Sequence, residues 1–156
     1  MNGRVLSIVA VLAGGGFFVA HGAFSQSTSP ATRRAISLPD DNPQLPFSGA
    51  ILAGNTLYLS GRIGIDSKTG KAPAEIDDEI KLLLEHVKAT LVAAGMTMDD
   101  LVYVQVACTD LALYDRFNSA YRSYFATKDF PAREFIGVAS ILRGGHFELQ
   151  ATAVKR

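Results

Sequence analysis

Between residues 75 and 109 the apolar pattern changes its period, and this switch constrains the fold more than any other feature of the chain. Ile76, Ile80, Leu83, Leu84, Val87 and Leu91 recur at helical spacing, so the pattern predicts a helix over residues 75–94. Glu75, Asp77, Asp78 and Glu79 crowd its first turn, where the positive end of the helix dipole favours them, and Gly95 is the expected stop. Directly downstream, LVYVQVACT alternates with the period of a strand.

The flanking segments extend the same alternation of element types. AILAGNTLYLSGRIGID holds two apolar runs divided by Gly54 and Asn55, which predicts a β-hairpin. Asp110 is placed to cap a second helix with the apolar stripe Leu113, Phe117, Tyr121 and Phe125. EFIGVASI and HFELQATAV read as two further strands, separated by a turn around Gly144 and Gly145. The order is hairpin, helix, strand, helix, strand, strand, an α+β domain without internal repeats. Two helices cover one face of such a sheet, and the other face of a lone chain would stay open, so self-association is expected.

The N-terminus has a different character. MNGR is a short basic start, VLSIVAVLAGGGFFVA an apolar run, and Ala23, Phe24 and Ser25 set small residues around a bulky one. This is the layout of a signal peptide over residues 1–25, and it predicts a periplasmic or secreted protein. The run contains three consecutive glycines and falls short of the ~20 residues of a spanning helix, so no stable membrane association is expected after cleavage. Residues 26–46 are rich in Ser, Thr, Pro, Asp and Asn and read as a flexible leader, with the folded domain expected over residues 47–156.

Charge and motif content narrow the chemistry. Fifteen Lys and Arg balance fifteen Asp and Glu, so no global positive field favours nucleic acid as a partner. The single cysteine, Cys108, alternates with valines and reads as a core thiol. His21, His86 and His146 lack metal-ligand spacing, no GxSxG elbow is present, and LAGGG sits in the leading apolar run, so neither a metal nor a cofactor is expected. FPAREF is different, because it sets Arg133 at the mouth of the apolar run IGVASI. A guanidinium does not lose its proton, and partial burial demands an anion. Glu148, Glu134 and the carboxylate of a ligand are the candidates, with Asn118 on the second helix as a further polar neighbour.

PFSGAILAGNTLYLSGRIGID, the AG of LVAAG, FNSAYRSYF, FPAR and FELQATA together resemble the RidA (YjgF-type) family of enamine/imine deaminases over nearly all of residues 46–154. The resemblance implies a chorismate-mutase-like α+β fold, with two helices on one face of a sheet, and a homotrimer with pockets between subunits. It implies hydrolysis of 2-enamino and 2-imino acids to 2-keto acids and ammonia without a cofactor. Arg133 and Glu148 are the implied catalytic residues, and Arg133, Asn118, Phe47 and Gly61 the implied substrate-binding set. Four positions depart from the family pattern: Phe47 where a tyrosine is usual, Arg62 where a glutamine is usual, and Glu134 and Phe135 in place of Ser-Cys. The alternative expectation is a non-catalytic trimer that binds small carboxylates or shields unfolded proteins.

Overall fold

The computed structural model describes residues 32–156, so the expected signal peptide and the start of the leader lie outside the described residues. Six strands form one sheet: β1 (Arg33–Ile36), β2 (Ala50–Ala53), β3 (Thr56–Ile63), β4 (Leu101–Cys108), β5 (Ala132–Gly137) and β6 (Phe147–Val154). Two helices, α1 (Ile76–Ala93) and α2 (Tyr114–Arg122), pack on one face of it. The spatial order is β1-β2-β3-β6-β4-β5, and only the β4–β5 pair is parallel.

Local chemistry explains the elements that position the site. Gly54 takes φ 62° in the two-residue turn joining β2 to β3, a backbone region closed to most side chains. Gly95, at φ 74°, ends α1 in a Schellman motif: its amide bonds the Val92 carbonyl at 2.9 Å, and the Met96 amide bonds Leu91 at 2.9 Å. The Asp110 side chain accepts from the Ala112 amide and caps a short 3₁₀ turn, Leu111–Leu113, that runs into α2. The second helix is shorter than its apolar stripe predicts; it ends at Arg122, and Phe125 packs on the core from beyond it.

The core lies between helices and sheet. Leu83, Leu84, Val87 and Leu91 of α1 and Phe117 of α2 are fully buried against Leu57, Val104, Val106, Phe147 and Leu149. Burying one such side chain contributes about 1.5–3 kcal/mol. On the opposite face Ile51, Tyr58, Thr152 and Tyr103 form a row across β2, β3, β6 and β4, and Tyr58 and Tyr103 are exposed in the single chain.

Two expectations are corrected. A strand already occupies Arg33–Ile36, within the segment read as a flexible leader and well before Phe47. The strand forms because its backbone pairs with β2 and Ile36 is buried, and neither requires the apolar content that the composition lacks. EFIGVASI is not a strand throughout: β5 stops at Gly137 and lies at the sheet edge, where only β4 pairs with it.

Candidate active site

Arg133 reaches its position because β5 runs parallel to β4, with Arg133 beside Val104 and Phe135 beside Val106. Both valines are buried beneath the helices, so Arg133 and Phe135 point to the helix side. There the Arg133 Nη2 donates to Asn118 Oδ1 at 2.6 Å. Its Cζ lies 5.0 Å from the centroid of the Tyr121 ring and 5.7 Å from those of Tyr114 and Phe135. Three ring faces near a guanidinium stabilise its charge without neutralising it. Among the described residues Arg133 has no carboxylate partner.

The guanidinium opens on a cavity of about 300 Å³ shared with Tyr114, Asn118, Tyr121, Phe130 and Pro131. The Tyr121 hydroxyl is buried without a hydrogen-bond partner, and burial pushes its phenol well above the ordinary value despite the opposing pull of Arg133. Aromatic walls, one amide and, at the rim, Arg122 surround a cation that retains most of its five donors. Such an arrangement is chemically suited to receive a small anion.

Glu134 does not compete for that cation. It points to the open face, beside Gln105, where its Oε2 accepts from the Tyr103 hydroxyl at 3.3 Å. Glu148 also lies on the open face, between the buried Phe147 and Leu149, with Ile63 and Ala107 across from it. A side chain on Gly61 would collide with the Glu148 carboxylate, which lies over the β3 backbone where the register slips between Leu59 and Arg62. The expected site residues therefore fall into two groups, Arg133 with Asn118 on one face and Glu148 with Gly61 on the other. Phe47 joins neither; it is 60% exposed in the loop before β2.

The chain matches the family described as Endoribonuclease L-PSP over residues 39–155. It belongs to that family, which includes the RidA proteins. Over 129 residues it is 34% identical to the 2-iminobutanoate/2-iminopropanoate deaminase of Capra hircus, spanning 81% of this chain and 93% of that one. The fold is similar to that of Escherichia coli TdcF with bound serine (TM-score 0.72, 30% identity, covering 79% of this chain and 99% of that one). It is also similar to RidA from the Antarctic bacterium Psychrobacter sp. (TM-score 0.71, 28% identity, covering 78% and 99%).

Within this L-PSP family member, two polar clusters shape the frame around the site. Glu79, read from sequence as a first-turn charge, is fully buried. It accepts from the amides of His146 at 2.6 Å and Phe147 at 3.1 Å, and its Oε2 lies 2.7 Å from His146 Nδ1. It thereby ties α1 to the start of β6, immediately before Glu148. The signal was present in the spacing, since Glu79 shares the helix face of Ile76, Ile80 and Leu83. Arg62 forms a two-pronged pair with Asp41, at 2.5 and 3.1 Å, that fastens the segment after β1 to β3.

Proposed function

We propose that the protein hydrolyses 2-imino acids, and the enamines from which they tautomerise, to 2-keto acids and ammonia. One observation carries this reading: the Arg133 guanidinium, fixed by Asn118 and three aromatic rings, faces a small cavity without an internal anion. A planar guanidinium grips a carboxylate through two parallel hydrogen bonds, which fixes the adjacent imine carbon for attack. The names borne by deaminase relatives at about a third identity support the same chemistry.

The reaction needs an acid–base group as well as an anchor. Water adds to the C=N carbon as one of its protons passes to nitrogen, giving a carbinolamine; nitrogen then takes up a second proton, the hydroxyl gives up its own as the C=O bond forms and the C–N bond breaks, and ammonia leaves. Glu148 is assigned the role of orienting that water and relaying the proton. Arg133 and Glu148 occupy opposite faces of one sheet, so the reading places the complete site between subunits of a homotrimer, with Arg133 from one copy and Glu148 from the next. The exposed row containing Tyr58 and Tyr103 supports burial of the open face against another copy.

The test is ammonia release from a 2-imino acid generated in situ by an amino-acid oxidase. Release well above the buffer rate supports the proposal. A buffer rate combined with carboxylate binding would favour the non-catalytic trimer.

A further inference from the structure

Two cavities of the described residues differ in charge. A groove of about 500 Å³ between α1 and α2 sets Asp77 and Glu85 against Lys81 and Lys88, so its charges cancel. The Arg133 cavity contains a second cation, Arg122, and its walls carry no Asp or Glu. Among the described residues neither arginine forms an ion pair.

Arg122 closes α2, where any cation gains from the helix dipole, and that would account for its presence but not for its direction. Its direction follows from the helix repeat. Arg122 lies four residues beyond Asn118, so it shares the face on which Asn118 holds Arg133. Arg133 is half-buried and held, whereas Arg122 is exposed at the rim of the same cavity. Two like charges facing one small space repel, and a ligand with one negative group answers only the inner one. A ligand with two answers both.

We propose that this cavity selects 2-imino acids whose side chain carries a second carboxylate, and that Arg122 is the residue that selects them. The inference rests on the deaminase reading for the C2 carboxylate, which Arg133 grips, and adds an outer contact for the far end of the substrate. Because the outer charge is exposed, its effect is moderate and falls with salt. About fivefold corresponds to the upper range for a solvated ion pair.

The experiment compares kcat/KM for imines generated from aspartate and glutamate with those from alanine and leucine. The expected result is a dicarboxylic preference of up to about fivefold at low salt that declines at 0.5 M NaCl. Arg122→Gln should bring the ratio towards one through KM, and Arg122→Lys should restore it, since a rim contact needs charge rather than a planar fork. Calorimetry with glutarate against butyrate reads the same preference without turnover. Equal handling of both classes by the parent, or a ratio unmoved by Arg122→Gln, overturns the inference while leaving the deaminase reading intact. Tighter glutarate binding that depends on Arg122, without hydrolysis of any imine, keeps the selectivity and removes the deaminase.

Discussion

Arg133 and Glu148 project from opposite faces of the same sheet, one beneath α2 and the other over the β3 backbone at Gly61. No side-chain rotation unites them within one chain. In the proposed mechanism these two residues act together across a subunit boundary.

That arrangement predicts complementation. Arg133→Ala and Glu148→Gln should each be inactive alone. Mixed trimers formed by refolding them together in equal amounts should regain about a quarter of the parental activity, because one boundary in four then combines an intact Arg133 with an intact Glu148. Ammonia release before and after mixing is the measurement. Mixtures as inactive as their components would show that the two residues serve separate sites.

Replacing Arg133 discriminates anchoring from simple charge balance. Lysine keeps the charge but loses the planar fork, so Arg133→Lys should resemble Arg133→Ala. Each should lose at least ~30-fold in kcat/KM for imino-acid hydrolysis, since truncating one member of a desolvated charge pair costs about 2–5 kcal/mol. Circular dichroism and light scattering should show both variants folded and assembled. Parental rates in Arg133→Lys would argue against a two-pronged grip.

Gly61 gives a test of Glu148 that leaves the carboxylate chemically unchanged. The Cβ of Gly61→Ala would occupy space held by the Glu148 carboxylate, the far end of a flexible side chain that can swing aside. Thermal stability should change little while kcat falls about tenfold or more, because a displaced acid–base group loses its alignment. A variant with unaltered kcat would place proton transfer elsewhere.

Acid stability should report on the Asp41–Arg62 pair. Burial raises the Asp41 pKa, but the hydrogen bonds from Arg62 and the Leu38 amide outweigh it, and the net position is below the ordinary 3.8. A depressed folded value contributes stability that is fully present above the unfolded pKa and is lost as pH falls through the folded one. Asp41→Asn should therefore be less stable than the parent at pH 6, with the difference shrinking below about pH 4. Urea titrations at several pH values follow this, and a difference independent of pH would exclude the ionised pair as its source.

The legible parts of the molecule were those written in local spacing. Gly54 and Asn55 announced the β2–β3 turn and Gly95 the end of α1. What escaped depends on partners distant in sequence. β6 inserts between β3 and β4, so the last two strands, separated by a short turn, are not neighbours, and β5 instead pairs parallel to β4 through the α2 crossover. β1 joins the sheet through its backbone, which composition does not report. Glu79 is masked by its position in an acidic first turn, because its hydrogen-bond partners are His146 and Phe147, more than sixty residues away.

At Gly49 the space a side chain would fill is taken by the Arg62 guanidinium and the Asp41 carboxylate. Residues from the segment after β1, the start of β2 and the end of β3 thus occupy a single volume. A larger residue at 49 evicts the ion pair, and a shorter one at 62 leaves both a hole and a stranded acid. The three positions therefore constrain one another, and a library that varies them together should recover combinations that a library varying them one at a time rejects.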